Sequence, residues 1–86
     1  MTVRFAYVYF MEDEPERVRA VAPSHAAHWQ ALGLSGYAGG PFGDRSGGLI
    51  TFDAEDADEA QRAVDGDPFV REGLVREQWL KEWVPE

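Results

Sequence analysis

From Val3 to Phe10 apolar residues fill both alternating sets of positions: Val3, Phe5, Tyr7 and Tyr9 on one side of an extended chain, Ala6, Val8 and Phe10 on the other. A strand with two apolar faces needs cover on both. The acidic run Glu12-Asp13-Glu14 and Pro15 end it, and Glu16–Val21 has the makings of a helical turn. Pro23, tolerated best in the first turn, predicts a new helix from Pro23 to Leu32. Along it His25, His28, Trp29 and Leu32 recur at i, i+3, i+4 and i+7, a stripe that faces the sheet, and Gly33 suits its C-terminal cap.

Tyr37–Phe42 and Gly48–Phe52 read as short strands joined through Gly43-Asp44-Arg45-Ser46-Gly47, a loop suited to a hairpin. A second helix is predicted from Asp53 to Val64, with Asp53, Glu55 and Asp56 near its positive end and Ala57, Ala60, Ala63 and Val64 as a modest apolar side. Asp67-Pro68 opens a short helical turn that Gly73 closes. Leu74–Val84 then alternates as a last strand, Val75, Trp79 and Trp83 on one side, Leu74 and Leu80 on the other. The order β-α-β-β-α-β predicts an α+β, ferredoxin-like fold, a four-stranded antiparallel sheet with helices on one face. Apolar residues on the opposite face call for a second sheet as cover.

Length sharpens that expectation. A chain of 86 residues makes one domain over residues 1–86, and as a monomer would hide only about 60–65% of its unfolded surface. With 44% hydrophobic and 13% aromatic residues, part of the apolar surface is expected to meet a second copy. The net charge of −8 argues against a phosphate backbone as partner, because nucleic-acid affinity relies on clustered Lys and Arg. No cysteine is present to staple the fold or hold a structural metal. The first apolar stretch is too short to span a membrane and alternates as a strand does, so no membrane association is expected and a cytoplasmic location is.

Candidate chemistry centres on two residues. At the start of a helix beginning at Pro23, His25 would meet the positive helix end, which disfavours an added proton and suits a base. A carboxylate on one ring nitrogen would fix the tautomer and support the charge formed on proton uptake, and Asp67 is the candidate. The residues alone leave two readings open for each: His25 as a histidine satisfied by a backbone carbonyl, and Asp67 as a helix cap before Pro68. His25 and His28 have a spacing that two metal ligands can use, but no third ligand is apparent, and neither metal nor cofactor is expected. The run Gly39–Gly48 lacks the Gly-Lys-Ser/Thr of a phosphate loop and leads into a strand; its glycines serve the hairpin and close backbone approach to a ligand.

The succession Pro23-Ser24-His25, Gly39-Gly40-Pro41, Asp67-Pro68-Phe69 and Gly73 resembles the YCII-related (YciI-like) family over nearly the whole chain. That resemblance implies a face-to-face homodimer, the dimeric α+β barrel, with His25 catalytic and Asp67 its partner. An arginine often precedes the family proline, and Ala22 stands there in this chain. Substrate contacts are expected from Tyr7, Trp29, Gly40, Pro41 and Phe42. Some relatives are associated with dehydrochlorination. The expected activity is cofactor-independent general acid/base chemistry, an elimination, isomerisation or hydrolysis of a small organic substrate; the alternative is a non-catalytic ligand-binding or accessory protein of a biosynthetic pathway.

Overall fold

The computed structural model describes residues 1–86. Its elements are β1 (Val3–Met11), α1 (Pro15–Ala31), β2 (Ala38–Pro41), β3 (Gly47–Ala54), α2 (Ala57–Asp65), α3 (Pro68–Arg71) and β4 (Val75–Glu82). The antiparallel sheet runs β2-β3-β1-β4, the strand order of the ferredoxin-like fold. The two-sided first strand therefore becomes a central one. Tyr7 sits between Ile50 and Leu80, and Val8 between Leu49 and Trp79. The first row belongs to the core beneath the helices, where Phe5, Tyr7, Tyr9, Trp29, Ile50 and Phe52 are buried. The second lies on the helix-free face, where Leu49, Trp79 and Trp83 are 38%, 45% and 44% exposed.

Several details differ from the sequence expectation. Pro23 does not begin a helix but lies inside α1, which starts at Pro15. An interior proline costs about 3 kcal/mol through the lost N–H bond and the ring's clash with the preceding turn. Here Pro23 and Arg19, four residues earlier, are both exposed, so water can reach the orphaned carbonyl, while Val18, Val21, Ala22 and Trp29 anchor the other face on the core. Leu32, expected on the buried stripe, is 41% exposed, because the helix has ended and Gly33 has turned left-handed at φ 60°.

Asp53 is not helical. It remains in β3 opposite Arg4, whose Nε donates to Asp53 Oδ1 at 2.5 Å, and α2 starts four residues later behind Asp56, which accepts from Glu59 N–H at 2.8 Å. In β4 the pairing slips between Phe10 and Met11, where Phe10 faces Glu77 and Met11 faces Val75. The extra residue reverses the alternation, so Val75 packs against the core instead of sharing the Trp79 face.

Candidate functional site

The site is organised by Asp67, which is 1% exposed. As N-cap of α3 its Oδ1 accepts from Phe69 N–H at 2.8 Å, and Pro68 at the first helical position costs no bond. The short helix closes with Gly73 left-handed at φ 70°, Leu74 N–H donating to Phe69 O at 2.9 Å and Gly73 N–H to Val70 O at 3.1 Å. This double closure, with Leu74 buried behind it, fixes α3 at both ends and the aspartate with it.

Two side chains of α1 reach that carboxylate. Trp29 Nε1–H donates to Oδ2 at 2.9 Å, and His25 Nδ1 lies 2.8 Å from Oδ2 and 2.9 Å from Oδ1. Their four-residue spacing puts both on one helix face. A carboxylate can only accept, so His25 Nδ1 carries the proton and Nε2 presents a lone pair. Nε2 points towards the Tyr9 hydroxyl, 3.4 Å away. Phe69 stacks on the imidazole, with ring centres 4.2 Å apart and planes 20° from parallel. The position of His25 departs from expectation: it lies in the middle of α1, where the helix-end dipole is spent. Asp67, not the helix terminus, sets the electrostatics of the ring.

Burial, with the charge of Asp67 as the next cause, pushes the Tyr9 hydroxyl up to about 12; the Tyr7 hydroxyl is raised for the same two reasons. Tyr9 is therefore a hydrogen-bond donor at neutral pH. Its ring has room because β1 opposes a glycine pair, Tyr9 to Gly48 and Phe10 to Gly47. A methyl group on Gly48 would collide with the Tyr9 hydroxyl, and one on Gly47 with the Tyr9 carbonyl.

Above Nε2 opens a cleft of about 360 Å³ between α1, α3 and the β2–β3 hairpin. Met11, Val18, Ala22, Ile50 and Phe69 supply apolar wall, Tyr9, His25, Gln30, Tyr37 and Arg45 polar groups, and Gly39, Gly40 and Pro41 a backbone rim. Such a mix of apolar lining and few convergent polar groups suits a small organic ligand.

A model of the YCII-related domain matches residues 5–84. The chain belongs to the YCII-related family. Two solved structures are similar to this family member. One, 5-chloro-2-hydroxyhydroquinone dehydrochlorinase from Burkholderia phenoliruptrix AC1100 in complex with 2,5-dihydroxybenzoquinone, superposes with a TM-score of 0.78 at 24% identity, covering 94% of this chain and 93% of that one. The other, a dimeric ferredoxin-like protein of unknown function from Thermobifida fusca YX, gives a TM-score of 0.60 at 18% identity, covering 99% and 92%. Both likenesses bear on the fold. A search of curated proteins finds no match.

Of the residues expected at the site of this YCII-related protein, His25 and Asp67 are in hydrogen-bond contact, and Gly40 and Pro41 border the cleft. Three others lie elsewhere. Tyr7 and Trp29 are each 1% exposed beneath the cleft floor; Tyr7 donates to Gln78 Oε1 at 3.0 Å and Trp29 to Asp67, so they support the site from below. Phe42 packs against Phe10, ring centres 5.8 Å apart, on the helix-free face, because strand alternation turns it away from the side that Pro41 takes. His28 is committed to α2, its Nε2 2.7 Å from Ala63 O, and no three His, Cys, Asp or Glu side chains are grouped so as to hold a metal ion. No helix is long and apolar enough to cross a membrane. Sequence reasoning passed over Phe69, Gln30, Tyr37, Arg45 and Ile50 as cleft residues. Only Phe69 carried a signal, as the residue whose N–H the Asp67 cap must hold.

Proposed function

We propose that this chain is a small-molecule-converting enzyme in which His25 is the general base and acid and Asp67 its orienting partner. The observation that carries the reading is the bond from His25 Nδ1 to Asp67, which leaves Nε2 as a lone pair facing a cleft. In the reaction Nε2 takes a proton from the substrate and becomes imidazolium, whose charge the adjacent carboxylate stabilises. The Tyr9 hydroxyl, still protonated, donates to the oxygen on which negative charge develops. In an elimination the electron pair freed by proton loss forms the new double bond as the leaving group departs. Isomerisation differs in that His25 returns the proton to another atom.

Elimination from a hydroxylated, chlorinated ring is the first chemistry to test, since the similar dehydrochlorinase acts on such a ring. We assign the helix-free face to a homodimer: Val8, Phe10, Leu49 and Trp79 meet there across three adjacent strands, and Trp83 lies exposed beyond Lys81. Two such sheets packed face to face would make the dimeric α+β barrel. The test of activity is chloride release from a panel of chlorinated hydroquinones by the wild type and by His25→Gln. Turnover should fall on the order of 10²-fold or more in the variant; equal turnover refutes the base.

A further inference from the structure

We propose that the cleft selects a small ring bearing an anionic group, a carboxylate or a phenolate, and that Arg45 is the residue that selects it. This rests on the cleft being the substrate site. Among the side chains that line it, Arg45 alone carries a permanent charge. Arg45 takes part in no ion pair, so its guanidinium is free to meet a ligand. Its neighbour Asp44 is committed to the turn, Oδ1 accepting from Ser46 N–H at 3.0 Å and from Ser46 Oγ–H at 2.6 Å. Glu12, Asp13 and Glu14 border an adjoining groove that Arg45 also touches, yet none comes within ion-pair distance.

The hairpin fixes the backbone from which the guanidinium extends. Arg45 is the one non-glycine residue with a left-handed backbone, φ 65°, a conformation that glycine or asparagine adopts with less strain. Arg45 N–H donates to Phe42 O at 2.9 Å and keeps the turn closed. The cleft thus has a cation contributed by the hairpin and the Nε2–Tyr9 pair contributed by α1 and β1, with apolar wall from Met11, Val18 and Ile50 between. Its volume of about 360 Å³ suits a single ring. A guanidinium offers paired N–H groups that match a carboxylate, or a phenolate with its neighbouring hydroxyl, and it stays charged at any working pH. An anionic substrate would be fixed at one end by Arg45 while its opposite edge meets the base.

Benzoate and benzyl alcohol share a ring and differ in charge, so they separate the anion contact from the apolar one. Each is titrated into the protein while the ring resonances of Phe69 are followed by NMR. Benzoate should bind about fivefold to tenfold more tightly, the gap should narrow as salt is added, and Arg45→Gln should bring benzoate down to benzyl alcohol while leaving the alcohol unchanged. Equal binding in the wild type, a preference that survives Arg45→Gln, or no shift at Phe69 with either compound would overturn the assignment. His25→Gln distinguishes this from failure of the proposed reaction: it should lose turnover and keep the benzoate preference. A preference lost with His25 and kept without Arg45 would place the anion on the imidazole and refute the role of Arg45.

Discussion

Trp29 donates its indole N–H to the same Asp67 oxygen that lies 2.8 Å from His25 Nδ1. With Phe69 N–H on the other oxygen, the buried carboxylate has three donors, and no buried side-chain polar atom in the protein lacks a partner. The cap of a short helix and the orienter of a histidine are therefore one group.

This sharing decides how Asp67 responds to substitution. Asparagine retains one acceptor but turns an NH₂ towards either Phe69 N–H or Trp29 Nε1–H, leaving a buried donor unpaired at a cost of about 1–3 kcal/mol. Alanine removes the cap and both acceptors, and should cost more, about 3–5 kcal/mol for breaking a buried charged network. Urea midpoints should rank wild type above Asp67→Asn above Asp67→Ala. An asparagine variant as stable as the wild type would show that Trp29 and Phe69 do not both depend on the carboxylate.

Gly48 is expected to be intolerant of even a methyl group, since Gly48→Ala would press on the Tyr9 hydroxyl and on Gly40 O. The overpacked strand pair should lose about 1–3 kcal/mol, and turnover should drop as Tyr9 shifts off Nε2. Gly40, which has open space around its missing side chain, is the control: Gly40→Ala should leave stability within about 0.5 kcal/mol.

The strands, the hairpin and the α3 cap were legible in the sequence, because each rests on a local rule: alternation, a glycine-rich loop, Asp before Pro, Gly after a short helix. The pairing of His25 with Asp67, 42 residues apart, was implied by the family resemblance and not by the residues alone. What was not legible depended on long-range context. Pro23 looked like a helix start because local sterics favour it there; burial of Val18, Val21 and Ala22 against the sheet carries the helix through it. The outward turn of Phe42 and the inward turn of Val75 follow from strand register, one through the hairpin and one through a slipped pair. In the sequence Tyr9 is one of several aromatics able to border a cavity; its approach to His25 Nε2, with glycine opposite it across the sheet, follows from register.

Alkaline pH should destabilise the fold through the buried tyrosines. Tyr9 ionises near 10.0 when unfolded and is pushed up to about 12 in the fold, and Tyr7 is raised as well. The sign follows from the bound protons: above the unfolded value the unfolded chain has released a proton that the native state still holds, so stability falls with rising pH. The contribution is complete below pH 10.0 and is lost as pH passes through about 12. Urea unfolding at pH values across this range should show a smaller decline for Tyr9→Phe than for the wild type.

The exposed aromatic face should be the dimer interface. Trp79 is central to it, paired with Val8 and packed edge-on against Phe10 at 6.1 Å. Trp79→Glu would set an unpaired charge in a dry sheet-to-sheet contact, at a cost of several kcal/mol. Sedimentation of the wild type at micromolar concentration should give a dimer, and the variant a monomer or unfolded chain. A folded monomeric wild type would leave that face without its assigned partner.

The proton chemistry of His25 is the centre of the account, and the pH dependence of kcat/KM for a chloride-releasing substrate, measured for the wild type and His25→Gln, tests it most directly. Only neutral imidazole has a lone pair on Nε2, so the wild-type rate should fall as acid protonates the ring. His25→Gln, folded and dimeric, should be slower on the order of 10²-fold or more and should lack that acid limb. A variant that turns over substrate at the wild-type rate, or keeps the same acid limb, would contradict His25 as the base.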